Sequence, residues 1–299
     1  MSPYMAWPWT AKSPHARRYG AALNCMLQES QGLPSSGWEV SCRLSPSGAR
    51  ADRLLLGFAV QGAARSRIAG LSKSIGMPGA MTQSFDAYAP EARQILLAAD
   101  MGPHGVERRA YLEFSEHQRP PAQGIVMRGY KWRVGADAHS ADDVSTRITD
   151  YLRIKIQPSD LLSFLQTLPG VPEVAHPTYA VADFAVREAL AQRPDWNGFE
   201  YWAVTEQASD RGSCCVRLHD SGLNMGALWP VVAPLLGTWS LDRAAHELLF
   251  SKMGHRPLGW IAAGVDARGE PFVTFYCDAG RDDARQALAA GGFYESYQI

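Results

Sequence analysis

Five times along this chain a strand-like segment is followed by a short turn and then by a second strand-like segment. This repetition constrains the fold more than any other feature, because strands joined by tight turns run antiparallel. The clearest pair is Gly259-Trp-Ile-Ala-Ala-Gly-Val265, the turn Asp266-Ala-Arg-Gly269, and Phe272-Val-Thr-Phe-Tyr-Cys277. The others are 38–44 with 53–60 around Ser45-Pro-Ser-Gly48, 94–100 with 107–114, 125–134 with 145–156, and 199–206 with 213–219. The segment 94–100 fits either periodicity, and the turn Met101-Gly-Pro-His-Gly105 decides for a hairpin. Helical patterns fill most of the intervals, at 13–30, 64–76, 159–168, 178–193, 223–237, 240–253 and 281–290. Gly32 and Pro34, Gly76 and Pro78, and Pro194 supply stop signals.

Antiparallel neighbours disfavour a parallel, doubly wound sheet. Ten such strands with helices outside predict an α+β fold in which the sheet closes into a barrel. Closure removes exposed edges and leaves an interior wide enough for a ligand. No linker divides the chain, so one domain over residues 1–299 is expected.

One stave of that barrel is two-faced. In Glu107-Arg-Arg-Ala-Tyr-Leu-Glu-Phe114, alternation puts Arg109, Tyr111 and Glu113 on one side and Ala110, Leu112 and Phe114 on the other. A similar mixture recurs as Tyr130 with Trp132, as Arg147 with Thr149 and Tyr151, and as Thr274 with Tyr276. A shared surface of cations and aromatic rings suits an anion attached to an electron-deficient group.

The formal net charge of −1 provides no global attraction for nucleic acid, so an anion site has to be local. No run reaches the roughly 18 apolar residues of a membrane span, and Met1–Lys12 lacks the apolar core of a secretory signal. The five cysteines show no CxxC spacing and read as reduced thiols of a cytoplasmic protein. Cys214 and Cys215 have no His–Asp arrangement nearby, the Gly57/Gly62 and Gly259/Gly264 pairs fit no phosphate loop, and no DDxxD-type metal cluster occurs. Asp142-Asp143 and Asp282-Asp283 lie beside predicted helices, where they read as helix-start charges.

This organisation resembles the aromatic prenyltransferases of the ABBA, or PT-barrel, fold, which repeat an αββα unit around a ten-stranded barrel. Within that group it resembles most the peptide prenyltransferases of cyanobactin biosynthesis. The resemblance rests on Trp38-Glu-Val-Ser-Cys-Arg, on Ala51-Asp-Arg-Leu-Leu-Leu-Gly-Phe58, on 94–114, and on 258–277. It implies that Glu39 is a catalytic carboxylate and that Arg53, Arg109 and Arg147 bind a diphosphate. It also implies that Tyr111, Tyr151 and Tyr276 shield an allyl group. Trp260 reads either as a pocket-lining ring or as plain core. Glu113 departs from the pattern, standing where a second cation is expected. Arg133, Lys155 or Arg217 are candidates to complete the diphosphate site.

The implied activity is transfer of a dimethylallyl or geranyl group from its diphosphate to a nucleophilic side chain of a ribosomal peptide, linear or cyclic. Isoprenyl diphosphate is then the co-substrate, and Mg2+ is admitted as an aid at the phosphates. Arg and Lys would stabilise the leaving diphosphate, aromatic faces the cation, and a carboxylate would take the acceptor proton. Two alternatives stand beside it: a small-molecule aromatic prenyltransferase, and a non-catalytic barrel that binds a peptide or ligand. Plainer roles also remain open. Glu39 pairing with Arg43 or Arg53 would make a structural ion pair, and the tyrosines would serve equally as core packing. The protein is expected to act as a monomer, with no nucleic acid or membrane partner.

Overall fold

The computed structural model describes residues 14–62, 64–102, 105–115, 120–133, 146–167, 173–206, 209 and 212–293. Asp142 and Asp143, Trp7 and Trp9, and the turn residues Pro103 and His104 lie outside the described residues. Ten strands are present: β1 Ser35–Ser45, β2 Gly48–Ala59, β3 Gln94–Gly102, β4 Gly105–Glu113, β5 Ile125–Arg133, β6 Arg147–Ile154, β7 Glu200–Glu206, β8 Ser213–Arg217, β9 Leu258–Val265 and β10 Pro271–Ala279. They form one closed barrel in the order β1-β10-β9-β8-β7-β6-β5-β4-β3-β2. The segment 94–100, which fitted either periodicity, is a strand paired with β2 and β4.

The chain divides into two compact units. The first comprises residues 41–51 and 152–278. Helices α5 Leu161–Thr167, α6 His176–Gln192, α7 Trp229–Thr238 and α8 Arg243–Met253 cover one face of its strands. On α6 the buried side chains Tyr179, Val181, Ala182, Ala185, Val186 and Ala189 repeat at helical spacing, so one stripe of the helix lies against the sheet. Tyr201 of β7 packs edge-on against Phe164 of α5, and Phe275 of β10 packs edge-on against Phe250 of α8. These contacts fix the parity: 201, 273, 275 and 277 point outward to helices, and 202, 260, 272, 274 and 276 point to the barrel interior.

The second unit comprises residues 6–40, 52–151 and 279–299. Its helices are α1 Pro14–Glu29, α2 Ala64–Arg67, α3 Leu71–Ser74, α4 Gly79–Tyr88 and α9 Arg281–Ala290. On α1, Ala16, Tyr19, Leu23, Met26 and Leu27 are buried at i, i+3, i+7, i+10 and i+11, a stripe that packs on β3, β4 and α9. The helix stops at Gly32, whose φ of 79° few side chains tolerate. The predicted helix 64–76 is two short helices, because Gly70 at φ 85° breaks it. The outward face of β4 and β5 is fixed by Arg108, which donates to the Ile75 carbonyl after α3, and by Tyr130, which meets Phe85 and Ser84 of α4.

Gly264 on β9 is the tightest point of the first unit. Its φ is +132°, and a Cβ there would lie 2.2 Å from the Gly212 carbonyl oxygen and 2.6 Å from the Ser213 Cα. Its N–H also donates to the Thr178 hydroxyl of α6 at 3.1 Å. Gly264→Ala is expected to destabilise the protein by about 2–4 kcal/mol in denaturant unfolding. Gly237→Ala, on a helix with nothing within 4 Å of the added methyl, is expected to be neutral or slightly stabilising.

Candidate active site

In the second unit the interior face carries a dense set of charges. Strand register places Arg53 of β2, Asp100 of β3, Glu107 and Arg109 of β4, and Lys131 and Arg133 of β5 on one face. Arg147 of β6 joins them through Glu107. Arg53 grips Asp100 with two hydrogen bonds, Nε to Oδ1 at 2.6 Å and Nη2 to Oδ2 at 2.9 Å. The Arg109 Nη2 lies 2.5 Å from Asp100 Oδ2 and 2.7 Å from Glu107 Oε1. Arg147 Nη2 donates to Glu107 Oε2 at 2.9 Å. Five cations, Arg53, Arg109, Lys131, Arg133 and Arg147, thus gather around the carboxylates Asp100 and Glu107 on this wall, although the whole chain is near neutral.

Burial and geometry set the charge states. Burial disfavours ionised Glu107, yet Arg109 and Arg147 outweigh it and hold the carboxyl below its ordinary value. Burial and neighbouring Arg53 work against the Arg109 charge, and Asp100 with Glu107 more than offset them, so its pKa is raised and it stays cationic. The Arg109 Nε is buried and has no hydrogen-bond partner among the described residues. A buried guanidinium N–H left over after two ion pairs is a donor suited to an incoming anion.

Next along the same face lie the two tyrosines. Tyr111 of β4 and Tyr151 of β6 are buried, with ring centroids 6.3 Å apart at 69°. Gly129 of β5 lies between them and directly opposite Tyr111. A Cβ at Gly129 would come within 2.8 Å of the Tyr111 ring, so only glycine lets that ring lie across the strand. Glu39 of β1 is half-buried and shares the strand face of Ser41 and Arg43. Arg43 lies over the interior ring of Phe272, 4.0 Å from its centroid, which identifies that face as the interior one.

The sequence expectations divide cleanly by parity. Arg53, Arg109, Arg147, Tyr111 and Tyr151 occupy one interior wall as expected. Tyr130 and Trp132 do not join them: they point outward, and Lys131 between them points inward opposite Arg109. Lys131, buried to 3% exposure, is the site cation the sequence reading missed. The one signal for it was the basic stretch Arg128–Arg133, whose alternation admits two parities. Lys155 is exposed beyond β6 and lines a surface groove with Asp160 and Phe164, so it does not complete the cluster. Glu113 is held by Arg93 at the opposite end of β4 from Glu107. It is thus an ion-pair partner, in place of the second cation expected there.

Arg217, Trp260 and Tyr276 belong to the first unit and form a row of their own with Glu200. Register sets Glu200 opposite Arg217, Arg217 opposite Trp260, and Trp260 opposite Tyr276. Trp202 and Trp260 lie with ring centroids 4.2 Å apart, and the Trp202 indole N–H donates to Glu200 at 3.0 Å. Glu200 also meets Arg153 at 2.9 Å. Arg217 donates to the Gly198 carbonyl at 2.9 Å and meets Asp220 at 3.4 Å. The row offers an aromatic platform bordered by charges of both signs.

Among the described residues no group of three or more His, Cys, Asp or Glu side chains is arranged to hold a metal ion. The two carboxylates of the cation wall, Asp100 and Glu107, each bind two arginines. That donor set does not fit magnesium, which needs carboxylate oxygens free to face it. No described helix is long and apolar enough to cross a membrane.

No family model and no curated protein matches the sequence. Solved structures do match. The 5-dimethylallyltryptophan synthase from Streptomyces coelicolor superposes with a TM-score of 0.60 at 13% identity, over 98% of this chain and 96% of that one. A 6-dimethylallyl tryptophan synthase superposes with a TM-score of 0.50 at 13% identity, over 93% and 98%. The likeness spans nearly all of each chain and shows a common fold, the PT barrel.

Because Glu107 titrates below its ordinary value of 4.5, its contribution to stability is full above that pH and is lost as pH falls through the lowered value. Acid unfolding of the wild type is therefore expected below about pH 4.5. Glu107→Gln is expected to cost about 3 kcal/mol at pH 7 and to flatten the stability–pH slope below pH 4.5, both read by denaturant titration.

Proposed function

We propose that this protein transfers an isoprenyl group, dimethylallyl or geranyl, from its diphosphate to an aromatic small molecule. The observation that carries the reading is the interior wall of the second unit, where a cluster of five cations adjoins two buried tyrosines. Arg53, Arg109, Lys131, Arg133 and Arg147 supply donors for a diphosphate, and the Arg109 Nε is a donor with no competing partner. As the carbon–oxygen bond breaks, its electron pair leaves with the diphosphate, and these fixed cations stabilise the growing negative charge. The faces of Tyr111 and Tyr151 stabilise the allyl cation, each by roughly 0.5–2 kcal/mol, and keep water from it. The acceptor's π electrons form the new carbon–carbon bond, and Glu39 takes the displaced proton.

The acceptor class rests on the likeness to a dimethylallyltryptophan synthase, which favours an aromatic small molecule over the peptide that the sequence resemblance implies. Arg217, Trp260 and Tyr276 are proposed as substrate-binding residues on the sequence reading.

The test is incubation of the purified protein with dimethylallyl or geranyl diphosphate and a panel of indoles, phenols and peptides, with products read by mass spectrometry. Product from the aromatic small molecules is the expected outcome; product from peptides alone would reverse the acceptor assignment. Ligand binding without transfer to any acceptor would leave the binding-barrel alternative. Arg109→Ala is expected to lower kcat/KM by about 10²–10³-fold and Glu39→Gln by about 10²-fold or more. Undiminished transfer by Glu39→Gln would remove Glu39 from the mechanism.

A further inference from the structure

The cation wall contains two carboxylates that diphosphate binding does not require. An anion site built for affinity alone would leave its arginines unpaired. Here Asp100 binds Arg53 through both oxygens and also meets Arg109, and Glu107 bridges Arg109 and Arg147. All five side chains sit on strands, Arg53 on β2, Asp100 on β3, Glu107 and Arg109 on β4 and Arg147 on β6, where no backbone loop is free to rearrange them.

We propose that Asp100 and Glu107 are positioning residues that act as resident counter-anions, fixing the arginine fork for diphosphate while weakening its grip enough for the product to leave. The inference rests on the diphosphate reading given above. Two physical requirements support it. Several cations cannot be buried together without anions, so the carboxylates let the cluster exist in the empty protein. A guanidinium has five N–H donors; the closest contacts of Arg109 with Asp100 and Glu107 are both made by Nη2, and its Nε has no hydrogen-bond partner among the described residues. The carboxylates can therefore stay in place when an anion arrives at the remaining donors. Their negative charge then opposes the bound diphosphate at short range, through a medium that screens poorly. A leaving group held by five unopposed cations would be released slowly, and release of product limits many enzymes.

The contrast with a purely structural ion pair is one of sign. If Asp100 only holds the fold together, removing its charge loosens the site and weakens anion binding. As a counter-anion, its removal tightens binding. The experiment is calorimetric titration of wild type and Asp100→Asn with inorganic diphosphate, together with product inhibition by diphosphate during turnover. The expected result is a Kd for diphosphate lowered about tenfold or more in Asp100→Asn, with stronger product inhibition and a lower kcat. An unchanged or raised Kd in a folded variant overturns the proposal. Wild-type protein that does not bind diphosphate overturns the diphosphate reading itself, which is a separate result. Should Asp100→Asn be unfolded, restoration of its fold by added diphosphate supports the proposal, and failure to restore it counts against it. Glu107→Gln, titrated in the same way, is expected to shift the Kd in the same direction.

Discussion

Closure of the sheet is the constraint on which the rest depends. With ten strands in a ring, every strand has two neighbours and no row of backbone N–H and C=O groups is left at an edge. Each strand then presents alternate residues to two different environments, helices outside and an enclosed space inside. The helices take the apolar parity: Leu97, Ala110, Leu112, Val216, Ile261 and Phe275 are all fully buried on the outer face. What remains for the interior need not be apolar, because it is not required to hold the helices. A wall of arginines is tolerable there for the same reason that it would be intolerable beneath α1.

That wall also shows how a near-neutral protein builds a local anion field. The five cations come from four different strands, so none competes with another for the same backbone position. The carboxylates are interleaved at the adjoining positions on β3 and β4, and each bridges two arginines, with Arg109 shared between them. The tyrosines follow one or two residues along, where β5 contributes Gly129 in place of a side chain. The sheet thereby sorts polar from aromatic along a single face, using nothing more than strand alternation and register.

Much of this could be read from the residues. The hairpin at 259–277, the two-faced strand 107–114 and the Arg147–Tyr151 alternation each carry period-two patterns flanked by turn residues, and all three fold as expected. Long helices with clear stops, such as 178–193 before Pro194, were equally legible. The failures have separate causes. In Arg128-Gly-Tyr-Lys-Trp-Arg133 the aromatic parity, Tyr130 with Trp132, suits a helix-covered face as well as a pocket lining, so local pattern cannot choose, and tertiary contact with Phe85 and Ser84 does. Helix α4 was missed although Met81, Phe85 and Tyr88 recur at i, i+4 and i+7, because the helix is only 10 residues long and opens on Gly79 directly after the stop signal Pro78. The carboxylate partners Asp100 and Glu107 were invisible as a pair because register, not sequence, sets them side by side.

The seam between β1 and β10 has a kinetic meaning. It is fastened on one side by Arg43 to Asp266 at 2.8 Å and by the Ser47 N–H to Glu270 at 2.9 Å, pairs 223 positions apart in each case. Contacts of such sequence separation form late, since most of the chain has to be ordered before they repay their loop-closure entropy. Glu39 lies on the strand that this seam completes. During synthesis the ring therefore stays open until the last hairpin has emerged, and no ribosome-bound fragment lacking that hairpin holds a finished barrel.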